Sequence, residues 1–220
     1  MPAEAVGAAH RARLLRAIVG AVAERGYASV RIADVVDRAR VSRQSFYTQF
    51  NSKEACFLAA HADGIDVILG ELGAQIAATE APLAQLAGGI NAYFALANRE
   101  PEFARCMLIE LPAIGPAGLT ARLDVHRRVA ALLATWHAAA RTAARPAERW
   151  PTVATSRYAA AVGAIHDLVF DLVADPERPR EHPPAQEALD AVLVLLEIPH
   201  QQQEPEPSVQ PEDGSFSAHG

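Results

Sequence analysis

The sequence predicts an all-α protein. Three observations carry that reading. Half of the 220 residues are apolar, with abundant alanine and few β-branched runs. The apolar residues recur at three- and four-residue spacing, the period of an amphipathic helix. Short breaks carrying Ser, Gly, Asn or Pro separate these segments, as helix caps and stops do. About nine helices are expected, opening with a three-helix unit of the helix-turn-helix type.

Residues 1–10 are mostly small and are expected to be a flexible N-terminus. Over residues 11–24, Leu14, Leu15, Ile18, Val19 and Val22 form one apolar face, and Gly26 suits the left-handed position that ends a helix. Ser29 is placed to cap a second helix over 31–39, with Ile32, Val35 and Val36 inward. Ser42 follows at once and caps a third, over 43–50. Two short helices joined by so tight a turn cross steeply and leave the second free to enter a major groove. Phe46 and Phe50 share one face of that second helix and point into the bracing first helix. Its other face carries Arg43, Gln44, Ser45, Tyr47 and Thr48. Arg pairs bidentately with guanine, Gln with adenine, and Ser, Thr and Tyr suit bases or phosphate. Lys53, opening a fourth helix beside free backbone N–H groups, is expected to form a phosphate site.

Charge supports this division. The chain totals −6, but residues 1–53 sum to +5 and the remaining residues to −11. Phosphate responds to charge within about 10 Å, so a basic head on an acidic body is compatible with DNA.

The segment 38–54, Arg-Ala-Arg-Val-Ser-Arg-Gln-Ser-Phe-Tyr-Thr-Gln-Phe-Asn-Ser-Lys-Glu, resembles the signature of the TetR/AcrR family of bacterial regulators. Ala39, Val41, Ser42, Phe46, Tyr47, Phe50, Ser52, Lys53 and Glu54 match its pattern, as do Gly26 and Tyr27. Arg40 stands where the family has glycine, Gln49 where it has His, Ser45 where it has Thr, and Arg31 where it has a capping Thr. The resemblance implies that Ser29, Arg31, Ser42, Arg43, Gln44, Ser45, Tyr47, Thr48, Gln49 and Lys53 meet double-stranded operator DNA. It implies a helix-turn-helix domain over 11–55 and a ligand-binding and dimerisation domain over 56–198. The function implied is that of a homodimeric repressor released by a small-molecule effector. An all-helical adaptor without an effector is the alternative.

In the body, the fourth helix is expected to reach about residue 78, a fifth to span 82–98 and a short sixth to run from Pro101 to Ile109. A loop follows over 111–116. Further helices are expected over 117–144, 152–174 and 184–197. Tyr93, Phe94, Phe103, Met107, His126, Trp136 and His137 are candidate lining residues of a ligand pocket. Ile165, Leu168, Val169 and Leu172, with Leu189, Val192, Leu193 and Leu196, are candidate dimer-interface residues on the last two helices. From residue 199 the composition turns to Gln, Glu, Pro, Ser and Gly, and this tail is expected to be disordered.

The sequence has no Cys-x-x-Cys, no His-x-x-x-His and no Gly-rich phosphate loop, so no enzyme, metal or cofactor is expected. Asp124 and His126 diverge on one helix, as do His166 and Asp167. Cys56 and Cys106 are expected as buried thiols in a cytoplasmic protein. No apolar run is long enough for a membrane span.

Overall fold

The computed structural model describes residues 3–77, 81–143 and 150–199. Among them are nine α-helices and no strand: α1 (Ala3–Arg25), α2 (Ile32–Ala39), α3 (Arg43–Gln49), α4 (Lys53–Ala77), α5 (Pro82–Arg99), α6 (Pro101–Arg105), α7 (Pro116–Ala143), α8 (Thr155–Ala174) and α9 (Pro184–Leu195).

The expected elements are present, with instructive differences at their ends. Helix α1 begins at Ala3, so residues 3–10 are helical where flexibility was expected. The alanines there favour helix, and an N-terminal extension adds turns without a new nucleus. Gly26 ends α1 at φ 77°, its N–H bonding Val22 O at 2.8 Å. The cap of α2 is Arg31, not Ser29. Asp34 closes it by accepting from the Arg31 N–H at 2.7 Å, a bond that also holds its carboxyl below the usual range. Ser42 caps α3, its Oγ accepting from Ser45 N at 3.0 Å.

The expected sixth helix is not uniform. After α6 the chain continues as one π turn, Cys106–Glu110, then a 3₁₀ turn, Leu111–Ile114, where a loop was expected. Pro112 has no N–H to extend an α ladder. The Leu111 N–H bonds back to Cys106 O, five residues away, as a π turn requires. The tail from residue 200 onward lies outside the described residues.

Two apolar cores organise the molecule. The head core gathers Leu14, Ile18 and Val22 of α1, Val35 and Val36 of α2, and Phe46, Phe50, Cys56 and Phe57. It also takes in Cys106, Met107 and Leu111 from the π and 3₁₀ turns. The body core joins Leu86, Ile90 and Phe94 of α5 to Trp136, Val169, Val192, Leu193 and Leu196. Helix α8 packs along both α7 and α9, and α4 along α5. On α7, Leu123 is 53% exposed.

Burial bears directly on the expected dimer residues. Val169, Val192, Leu193 and Leu196 are buried within their own chain, and Ile165, Leu168, Leu172 and Leu189 pack against the same core. The buried part of the α8 and α9 stripes thus packs within its own chain, while Ile165, Leu168, Leu172 and Leu189 are half-buried there. An amphipathic stripe states that something covers it, not which neighbour does. The outward side of α8 carries the small residues Ala159 and Ala160, exposed, and Gly163, half-buried, with the larger Phe170 also exposed. On α9 the outward apolar residue is Val194, 66% exposed.

Candidate nucleic-acid interface and body cavity

The third helix has two sides. Phe46 and Phe50 are buried, their rings 5.9 Å apart, and fix α3 onto α1. Arg43, Gln44, Tyr47 and Thr48 are exposed on the opposite side, Tyr47 by 54%. The Tyr47 ring meets Phe46 edge-on at 5.5 Å, which orients the phenol while leaving it accessible. Ser42 and Ser45 spend their hydroxyls on each other at 2.9 Å. Thr48 Oγ1 donates back to Gln44 O at 2.9 Å. Gln49 is half-buried and turned toward Gly7 of α1, its Nε2 3.6 Å from where a Cβ on Gly7 would stand. Arg43, Gln44 and Tyr47 are thus the side chains best placed to meet a groove.

The basic groups of the head divide in the same way. Arg11 binds Asp63 of α4 at 3.1 Å and lies over the Phe50 ring. Arg25 binds Asp34 at 3.2 Å, and Arg38 binds Glu24 at 2.6 Å. These pairs tie α1 to α2 and α4. Arg31, Arg40 and Arg43 are exposed on the head and join none of the ion pairs among the described residues. Arg40 occupies the left-handed region, φ 52° and ψ 50°, and its N–H caps the end of α2. The position that glycine fills in the family pattern does require a positive φ, and arginine adopts it at a steric cost.

Lys53 is engaged within its own chain. Its ammonium donates to Tyr27 O at 2.7 Å and Val30 O at 2.9 Å, and sits 4.0 Å from the centre of the Tyr27 ring. Burial lowers its pKa and raises that of Tyr27. The lysine closes the loop between α1 and α2 from inside, and two of its three donors are already engaged. The sequence could not reveal this, because the two carbonyls belong to a loop 23 and 26 residues earlier.

Behind the head, α4, α5, α7 and α8 enclose a cavity of about 170 Å³. Of the candidate pocket residues, Tyr93, Phe103, Met107, His126 and Trp136 line it. Phe94 and His137 do not. Phe94 is buried in the body core, and His137 is fully buried, stacked on Trp150 at 5.8 Å and hydrogen-bonded to Tyr158 Oη at 2.9 Å. Each is the immediate neighbour of a lining residue, and adjacent helical residues point about 100° apart. Most of the remaining wall is aliphatic. Burial raises the Tyr93 phenol to about 12.

Among the lining residues that the sequence reading did not name, one is polar and faces another histidine. His166 of α8 meets His126 of α7 across the cavity wall, ring centroids 4.7 Å apart. These histidines are 40 positions apart in the sequence and lie on different helices, so no helical spacing signals the pair. No cluster of three or more His, Cys, Asp or Glu among the described residues could hold a metal ion. Cys56 and Cys106 are buried free thiols, each pushed up to about 12 chiefly by burial. No helix among the described residues is long and apolar enough to cross a membrane.

The cavity and the head share a wall. Met107 belongs to the head core and also lines the cavity, while its neighbour Leu108 belongs to the body core and lines it too. The Cys106 thiol donates to Val19 O of α1 at 3.3 Å. Glu110 accepts from the Tyr27 N–H at 2.8 Å. The π turn is thereby pinned at both ends to the head.

Residues 14–60 match the family described as bacterial regulatory proteins of the tetR family. No curated protein matches the chain. Among solved structures, the chain resembles the fatty acid degradation regulator FadR from Bacillus halodurans, with TM-score 0.72 and 15% identity over 85% of this chain and 94% of that one. FadR from Bacillus subtilis in complex with stearoyl-CoA is similar at TM-score 0.71 and 15% identity, over 86% and 98% of the two chains. A tetR-family regulatory protein from Rhodococcus RHA1 is similar at TM-score 0.64 and 21% identity, over 86% and 96%. At these identities the likeness establishes a shared, TetR-like fold.

Proposed function

From a chain whose residues 14–60 match the TetR family and whose helices adopt a TetR-like fold, we propose a homodimeric DNA-binding repressor released from its operator by a small apolar effector. The observation that carries the DNA-binding reading is the two-sided third helix. Arg43, Gln44 and Tyr47 stand exposed over a buried Phe46–Phe50 anchor, beside the unpaired Arg31 and Arg40.

One recognition helix buries little surface. Two related by a two-fold axis read half-sites about 34–36 Å apart, which multiplies affinity and specificity. The outward faces of α8 and α9, small-residued around Gly163 with Phe170 and Val194 exposed, are the surfaces offered for that pairing. The effector reading rests on the apolar cavity and its shared wall with the head. A neighbour of the same fold carries stearoyl-CoA, a molecule with a long apolar chain, which agrees with such a cavity. The effector would favour a π-turn position, and hence a separation of the two heads, that the operator does not fit.

Duplex-DNA binding measured across a salt series tests this. The regulator reading expects a steep negative slope of log affinity against log salt. Arg43→Ala and Gln44→Ala should each cost about 1–3 kcal/mol on the operator and much less on random DNA. Absence of duplex binding at low salt would favour the adaptor reading instead.

A further inference from the structure

The histidine pair is the least explained feature of the body. His126 and His166 approach from different helices, both line the cavity, and the Nε2 atom of each is buried without a hydrogen-bond partner. Buried polar atoms are nearly always paired, since an unpaired one loses its water and gains nothing in return. Their surroundings keep both rings neutral: burial lowers both pKa values, that of His166 to about 4, and the Arg122 charge lowers them further. Arg122 lies one helical turn before His126 on α7 and has no ion-pair partner among the described residues. Two imidazoles with unspent nitrogens therefore meet at the cavity wall, and the Arg122 charge is near enough to lower the pKa of both. The wall elsewhere is apolar, with Ile65, Leu69, Val129 and Leu133 among its residues.

We propose that His126 and His166, backed by Arg122, hold the carboxylate of an aliphatic acid whose tail fills the cavity. A carboxylate has two acceptor oxygens and no donor, so each imidazole can turn one N–H to it while Arg122 supplies the opposing charge. An amine would meet the Arg122 charge with its own. A polyol would leave its hydroxyls against aliphatic side chains. The proposal rests on reading the cavity as the effector site.

The test compares dodecanoate with dodecan-1-ol, equal in chain length, by calorimetry on the full chain below micelle concentrations. Trp136, which lines the cavity, provides an independent fluorescence signal. Dodecanoate should bind roughly tenfold or more tightly than the alcohol. Arg122→Gln, on the half-buried edge, and His166→Phe, which keeps the ring volume, should each reduce that preference to about two- or threefold while dodecanol binding persists. His166→Gln is a second variant should the phenylalanine disturb the fold. Equal affinity for acid and alcohol in the unaltered protein would overturn the head-group assignment and leave the cavity reading standing. A preference that survives both substitutions would also overturn it, as would tighter binding of dodecanoyl-CoA than of dodecanoate. Failure of every probe to bind would overturn the cavity reading and this proposal together.

Discussion

Replacing Lys53 by methionine separates two roles that one position could play. Methionine keeps most of the unbranched stem and removes the ammonium. In the structure that ammonium holds Tyr27 O and Val30 O at 2.7 and 2.9 Å and lies over the Tyr27 ring at 4.0 Å. A hydrogen bond from a charged group contributes about 1.5–3 kcal/mol. Lys53 is only half-buried, and water can reach the carbonyls once it is gone, so about 1 kcal/mol per bond is the better figure. The cation–ring contact adds about 0.5–1 kcal/mol. The sum is about 2–3 kcal/mol, and for a chain of this size each kcal/mol lowers the melting temperature by roughly 2–4 °C. A fall of about 4–12 °C is expected, followed by circular dichroism at 222 nm. Removal of a phosphate contact alone would leave stability intact and reduce the salt slope of DNA binding by about one. An unchanged melting temperature with a shallower salt slope would therefore refute the inward role derived from the geometry.

Two further substitutions probe the backbone and the packing. Arg40→Gly relieves a left-handed conformation costing about 1–2 kcal/mol, partly offset by glycine's freedom in the unfolded chain, so stability should rise by about 0.5–1 kcal/mol. DNA affinity should fall in the same variant as an exposed cation is lost; a lowered melting temperature would show that the arginine is held by contacts rather than strained. A Cβ on Gly64 would overlap the Phe103 ring, so Gly64→Ala should cost about 1–3 kcal/mol, read as a lowered melting temperature. Phe103→Leu in the same chain should recover part of that loss, and no recovery would place the strain elsewhere.

Much of the head was legible because its determinants are local. Ser42 caps α3 three residues before the N–H it binds, and Gly26 and Arg40 mark the left-handed ends of α1 and α2 within their own turns. Phe46 and Phe50 are assigned inward by spacing alone. The errors came where a residue's role depends on a distant partner. Ser29 lost the cap to the bond between Arg31 and Asp34, against the residue-type preference for serine at a helix start. Lys53 reads as a surface cation by type, yet the carbonyls of an earlier loop converge on it. The stripes of α8 and α9 are plain in the sequence, but which of their residues the chain itself buries depends on how the two helices pack. The pairing of His126 with His166 depends on how α7 crosses α8, which no helical period encodes.

The π turn sets a limit on how this protein could change its specificity. Cys106, Met107 and Leu111 serve the head core, Leu108 the body core, and Met107 and Leu108 both border the cavity. A substitution that reshapes the cavity at Met107 therefore also repacks the support of the recognition helix. On the proposed effector reading, new effectors would be more readily accommodated at Leu69, Val129 or Ile165, where a lining change leaves the head core untouched. Selection for a new ligand and selection for a preserved operator would meet at one side chain, and a library randomised at Met107 should yield constitutive or DNA-silent variants more often than re-tuned ones.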